Sequence, residues 1–168
     1  MYTQFYVFRR IVFMSDHYED SSDWMVLSES YMLGIPTVDQ QHKHLIFLCN
    51  KFRSALMKCQ SGEIKEWYTL LQTSLKEAYE YATTHFITEE KLMEASQYDE
   101  YEYHKFCHKS FVDTVTENVA ALETATLESA VDFADYLKDW ILSHILYEDK
   151  RLTDHVKNYV LATKNVNS

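Results

Sequence analysis

The chain has 168 residues and a formal net charge of −10, which argues against the basic surface that nucleic-acid binding needs. Only two glycines and one proline occur, and because sheet folds use these residues at many turns, the composition favours long uninterrupted helices. Cys49, Cys59 and Cys107 cannot all pair and none lies in a CxxC motif, so a disulfide framework or thiolate metal site is not expected and a cytoplasmic location is favoured. No apolar run approaches the roughly 18 to 20 residues that cross a bilayer, so membrane insertion is not expected.

Residues 1–23 are predicted to form a flexible lead-in. Residues 1–14 are apolar around Arg9 and Arg10 but lack the small-residue cleavage site of a signal peptide. Our hypothesis is that Met14, rather than Met1, is the true start; the intact mass of the protein from its native gene tests it, and a full-length N-terminus contradicts it. Residues 15–23 are polar and acidic without an apolar period, which is typical of a loosely attached segment.

Four amphipathic helices are predicted between residues 24 and 151. The first opens at the capping-box spacing of Thr37 and Gln40, and apolar residues recur at helical spacing in all four. The predicted helices cover 37 to about 61, 63 to about 95, 99 to about 122, and 127 towards 147. Because short connections cannot return the chain to the far end, the predicted fold is an all-α, up-down-up-down antiparallel four-helix bundle. Residues 152–168 are predicted to form a C-terminal tail or short helix.

Histidines interrupt the apolar stripe of all four predicted helices, and a carboxylate, Glu89, also interrupts that of the second. At about 100° per residue, His42 points inward between Val38 and Leu45, whereas His44 points outward. A single inward histidine is as often a satisfied core residue as a ligand, but here all four helices contribute. Buried imidazoles and carboxylates are costly unless they are paired or bind a cation, and the mixed set is typical of first-row transition metals. The inward-facing set is His42, His85, Glu89, His104, His108 and His144.

Four runs of sequence resemble the helical signatures of the hemerythrin family, in particular its bacterial members. The runs are WMVLSESYMLGIPTVDQQHKHL, HFITEEKLM, YEYHKFCHKSF and LKDWILSHILYEDK, and they span Trp24 to Arg151. The resemblance implies two iron ions (Fe2+/Fe3+) per chain, with His104, His108 and His144 on one and His42 and His85 on the other. It also implies that Glu89 and Asp149 bridge both ions together with an oxo or hydroxo group. Dioxygen would then bind at the open position of the iron with fewer ligands.

Helical geometry and the resemblance disagree over one carboxylate. On an ideal helix Glu148, four residues after His144, shares its face, whereas Asp149 is displaced from His144 by about 140°. We follow the resemblance and predict that a widened or π-type turn carries Asp149 to the metals. Geometry and resemblance agree on Glu89 in the second helix, and Glu90 is expected to face away.

The predicted function is reversible dioxygen binding for storage, delivery or sensing, and not catalysis beyond a weak peroxidase-type activity. Five imidazoles and two carboxylates donate less anionic charge than glutamate-rich di-iron oxidases, which favours binding over oxidation. Predicted walls of the oxygen pocket, with ordinary core packing as the equal alternative, are Phe86, Phe111, Trp140 and Ile145.

Two other functions remain possible for a protein with the same metal ligands. One is a di-iron peroxidase or nitric oxide reductase, and the other is an oxygen- or iron-responsive signalling module that acts in trans. The predicted partners are dioxygen, an oxidase or oxygenase that receives it, or a second copy of the chain.

Overall fold

The structure is a computed structural model that describes residues 24–26, 28–60, 67–121 and 124–166. The predicted lead-in over residues 1–23, and with it the hypothesis about Met14, lies outside the described residues. The described ranges are helical and contain no strand, which confirms the all-α prediction. The helices are α1 (Pro36–Gln60), α2 (Trp67–Ser96), α3 (Tyr101–Ala121), α4 (Leu127–His144) and α5 (Lys150–Val166), with a 3-10 turn at Glu29–Tyr31 and a π turn at Ile145–Asp149.

Successive helices of the bundle run antiparallel, as the short connections predicted. Contacting residue numbers rise along one helix as they fall along the next. The pairs are Gln41–Thr88 and Lys51–Glu77 for α1 and α2, Glu90–Lys105 and Phe86–Phe111 for α2 and α3, and His108–His144 and Phe111–Trp140 for α3 and α4. Helix α4 also packs against α1, so the four helices enclose one core.

A tight turn separates α2 from α3. Gln97 has φ 54°, and the Tyr98 N–H donates to the carbonyl of Met93 at 3.0 Å, which is the hydrogen bond of a Schellman motif. The turn buries Tyr98 against Met93 and Leu152 of α5 in a small second core. It therefore ends α2 within two residues of the predicted bound and ties the α2 end to the C-terminal helix.

The C-terminal segment is longer and more regular than predicted. Helix α4, the π turn and α5 follow one another without an interruption, and Ile145 and Lys150 both have right-handed helical φ and ψ values. Helix α5 has 17 residues and packs against α2. No helix in the described ranges combines the length and apolarity that crossing a membrane requires.

A buried carboxylate organises the loop that precedes α1. Asp39 accepts hydrogen bonds from the backbone N–H groups of Leu33 at 2.6 Å and Gly34 at 2.9 Å. Gly34 has φ +82°, a conformation that favours glycine, and Lys157 of α5 donates to the carbonyl of Leu33. Pro36 then occupies the first helical position, where its missing N–H costs nothing.

Replacement of Asp39 by alanine is expected to lower the free energy of unfolding by about 2 to 3 kcal/mol, because two backbone N–H groups lose a charged acceptor. Urea unfolding in the presence of EDTA, followed by circular dichroism, measures this effect without metal. The control is Asp113→Ala, which removes an exposed pair with Lys109 and is expected to cost less than about 1 kcal/mol. Equal losses in the two variants would contradict the role given to Asp39.

Candidate metal centre

Seven buried side chains meet between the helices in two groups that share both carboxylates. In each group the nitrogen and oxygen atoms that could hold an ion lie within 4.8 Å of one another. These are the seven residues that the sequence and the resemblance nominated. The first group is His104, His108, His144, Glu89 and Asp149, and the second is His42, His85, Glu89 and Asp149.

The carboxylate of Asp149, which belongs to both groups, lies between the histidines of the first group and those of the second. Its Oδ2 is 3.1 Å from Nε2 of His42, whereas its Oδ1 is 3.0 Å from Nε2 of His144 and 3.4 Å from Nε2 of His104. Each oxygen therefore faces a different group, as a bridging carboxylate requires. The side chain is fully buried.

The carboxylate of Glu89, on α2, also lies close to histidines of both groups. Its Oε2 lies 3.2 Å from Nε2 of His108, and 3.6 Å from Nε2 of both His85 and His104. His85 and Glu89 are four residues apart on α2, and His104 and His108 are four apart on α3, so each helix presents two donors on one face.

The π turn explains why Asp149, and not Glu148, enters the site. In a π turn the hydrogen bond spans five residues instead of four, so a residue five positions after His144 returns to the same face. Glu148 lies at the rim, where it pairs with Arg151. The predicted widened turn is therefore present.

Four of the seven side chains carry buried polar atoms that have no hydrogen-bond partner. Both side-chain nitrogens of His42 and His104, and both oxygens of Glu89 and Asp149, lack one, despite the short separations given above. Among the described residues only one other buried side-chain atom, in Arg53, is in this condition. Buried polar atoms are normally satisfied, so a cluster of nitrogens and oxygens that converge without well-formed hydrogen bonds fits a bound cation. The residues present thus fit a metal pair.

The metal-free site distributes its protons unevenly between the two carboxylates. Burial, together with the charge of Asp149, raises the pKa of Glu89 to about 8. Burial would also raise the pKa of Asp149, but the neighbouring imidazoles of His144, His104 and His42 outweigh it and hold that pKa well below its usual value. Burial therefore favours the protonated form of Glu89, whereas the neighbouring imidazoles favour the ionised form of Asp149.

The histidine pKa values also shift in opposite directions. Burial lowers the pKa of His85 to about 3 and that of His108 to about 2, so both imidazoles are neutral at pH 7. Burial also acts to lower the pKa of His104, but contacts with Asp149 and Glu89 outweigh it and raise the value to about 9. Because metal ligands must be deprotonated, a cation held here would have to displace protons from His104 and Glu89.

The predicted pocket walls lie mainly on the three-histidine side. Phe86 stacks on His108 with ring centroids 4.0 Å apart, and Trp140 stacks on His144 at 4.4 Å. Phe111 contacts both aromatic rings, and Ile145 is 1% exposed. These contacts orient imidazoles and exclude water; a role in an oxygen pocket stays a prediction.

Glu90 lies outside both donor groups, as its direction on α2 predicted, but it does not turn away from the neighbouring helix. Its Oε1 lies 3.5 Å from Nδ1 of His108. A residue 100° off the buried stripe of α2 still faces α3, because α3 packs on that side of α2. Gln41, which precedes His42, lies 3.3 Å from Nδ1 of His85 and was not foreseen. The only sign of these contacts in the sequence was that Gln41 and Glu90 are polar residues directly beside the inward donors His42 and Glu89.

Comparison with known proteins agrees with this geometry. The family model described as the hemerythrin HHE cation binding domain matches residues 33–156, which include all seven side chains. The chain belongs to the hemerythrin family. A bacteriohemerythrin from Stenotrophomonas maltophilia is 27% identical over 140 residues, covering 81% of this chain and 84% of that protein. A myohemerythrin from Sipunculus nudus is 31% identical over 126 residues, covering 73% and 86% respectively.

Solved structures of hemerythrin share the fold of this family member. A crystal structure of a hemerythrin point mutant aligns with a TM-score of 0.68 at 19% sequence identity, covering 80% of this chain and 98% of the other. At this identity the likeness establishes the bundle architecture.

Proposed function

We propose that this protein holds two iron ions between its helices and binds dioxygen reversibly. The observation that carries the proposal is the convergence of seven buried donors, eight of whose side-chain atoms lack a protein partner. Membership of the hemerythrin family and relatives named bacteriohemerythrin and myohemerythrin support it. Neutral imidazoles with two carboxylates are a ligand set that iron accepts.

In this proposal the two groups of side chains hold one ion each. Glu89 and Asp149 would contribute to both ions, with three histidines on the first and two on the second, and dioxygen would bind on the side that has fewer histidines. When bound, a ferrous pair would supply the two electrons that reversible dioxygen binding needs. The proposed ligands are His104, His108 and His144 for the first ion and His42 and His85 for the second.

The chain's own contribution is to fix the donors and to keep water away from them. Ring stacking of Phe86 on His108 and of Trp140 on His144 restricts both imidazoles. His42, His85 and both carboxylates are at most 1% exposed. A dry site limits loss of the bound gas through side reactions with water. We propose storage, delivery to an oxidase or oxygenase, or sensing as its use, in a cytoplasm that keeps the three free cysteines reduced.

Anaerobic reduction followed by oxygen titration, with metal analysis, tests the proposal. We expect two irons per chain and a visible absorption band that forms with oxygen and disappears on its removal. His42→Ala is expected to lose the band, whereas the matched control His44→Ala keeps it, because His44 faces outward and contacts Tyr81. A protein without paired metal, or one that consumes peroxide or nitric oxide catalytically instead of binding oxygen reversibly, would overturn the proposal.

A further inference from the structure

Two histidines of the site, one in each group, have outer partners of different charge. Nδ1 of His85, in the two-histidine group, lies 3.3 Å from Oε1 of Gln41. Nδ1 of His108, in the three-histidine group, lies 3.5 Å from Oε1 of Glu90. In both cases the other ring nitrogen, Nε2, points at the carboxylate of Glu89. A neutral amide thus supports one position and a carboxylate the other.

The orientation of the Gln41 amide follows from the residues behind it. The hydroxyl of Thr88 donates its single proton to the carbonyl of Thr84 at 3.0 Å. It can therefore only accept from Gln41, whose Nε2 lies 3.0 Å away. The amide must present its NH2 group to Thr88 and its oxygen to His85. His85 then carries its proton on Nδ1, which leaves the Nε2 lone pair free for a metal.

Glu90 imposes the same tautomer on His108 but brings a negative charge. A carboxylate only accepts, so Nδ1 of His108 must donate. The other oxygen of Glu90 lies 3.5 Å from Nζ of Lys105, and Glu90 is about a quarter exposed at the rim. Carboxylate partners raise the basicity of a ligating imidazole more than neutral partners do. The carboxylate of Glu90 therefore adds donor strength to His108 that the neutral amide of Gln41 does not add to His85.

We propose that Gln41 and Glu90 are positioning residues that fix both ligand tautomers and make the two metal positions unequal. Glu90 strengthens the three-histidine position, which fills first, and Gln41 supports a weaker two-histidine position, which fills second. This inference rests on the metal centre proposed above and concerns its ligand strengths, not its oxygen chemistry.

Titration of the metal-free protein with Co2+, followed by its visible d–d bands and by competition with a chelator, separates the two binding steps. Glu90→Ala is expected to weaken the first step about 10- to 100-fold. Glu90→Gln keeps an acceptor but removes the charge, so an intermediate loss and a shifted band are expected. Gln41→Ala is expected to weaken the second step about 10-fold and to leave the first unchanged.

Glu80→Gln serves as control, because Glu80 is an exposed residue of the same helix whose ion-pair partner is Lys76. Urea unfolding of each metal-free variant measures any loss of fold, and the isosteric Glu90→Gln keeps the test valid if Glu90→Ala does not fold. Wild-type affinity and spectrum in Glu90→Gln, or loss of the same step in the Gln41 and Glu90 variants, would overturn the inference alone. A wild-type protein that binds no pair of Co2+ ions would overturn the metal centre and the inference with it.

Discussion

Asp149→Ala is expected to abolish the paired metal centre and its charge-transfer bands. Asp149 directs one oxygen to His42 and the other to His144, so its loss removes a donor from both positions at once. Replacement of an outer partner of a ligand costs about 10- to 100-fold in metal affinity, and loss of a bridging ligand is expected to exceed about 100-fold. Metal analysis and visible spectroscopy after reconstitution with ferrous salt measure the effect.

Glu148→Ala is the matched control for this prediction, since the neighbouring carboxylate pairs with Arg151 outside the cluster. This variant is expected to keep two metals per chain and the wild-type spectrum. Loss of the bands in Glu148→Ala together with their retention in Asp149→Ala would mean that the π turn does not select the bridging residue, and the assignment of the site would fail.

Glu89→Gln is expected to change metal binding and metal-free stability in opposite directions. Burial raises the pKa of Glu89 to about 8, well above its ordinary 4.5, so the folded metal-free protein holds this proton more tightly than the unfolded chain does. The resulting stabilisation is fully present below pH 4.5 and is lost as pH rises through 8. Glutamine stays neutral, so at pH 9 the variant is expected to be more stable than wild type by up to roughly 5 kcal/mol.

Urea unfolding in EDTA at pH 5, 7 and 9 measures this difference. At pH 5 the gap between variant and wild type is expected to be below about 1 kcal/mol, because Glu89 remains protonated in the folded protein. Metal binding by the same variant is expected to be lost, since the second bridging carboxylate is gone. A variant that is less stable than wild type at pH 9, or that still holds two metals, would contradict the role of Glu89. Exposed Glu80, replaced by glutamine, is expected to change neither property.

The opposite effects of Glu89→Gln on metal binding and on metal-free stability have one cause, which is that a polar binding site inside an apolar core lowers the stability of the metal-free protein. Two buried carboxylates and five imidazoles occupy positions where apolar side chains would pack more favourably. A bound cation compensates that cost because it supplies the charge that the unpartnered atoms lack. We therefore expect metal removal to lower the stability of the wild-type protein more than that of Glu89→Gln.

Helix existence and the inward donors could be predicted from local pattern alone. The chain has few glycines and one proline, and its apolar residues recur every three to four positions. This local pattern specifies helices whichever way the helices later pack against one another. The same period places His42 inward and His44 outward, and the structure buries the first and exposes the second. Asp149 lay beyond this reasoning, because an ideal helix turns it away; only the resemblance pointed to it.

The tertiary structure decided which neighbours complete the site. The contacts of Gln41 with His85 and of Glu90 with His108 depend on how α1 and α3 are rotated against α2. Helical period reports the direction of a side chain relative to its own axis and carries no information on the partner helix. The placement of Phe86 and Trp140 on the three-histidine side depends on that packing as well. The sequence by itself thus determined the bundle and its inward donors, whereas the contacts between helices determined the partners of those donors.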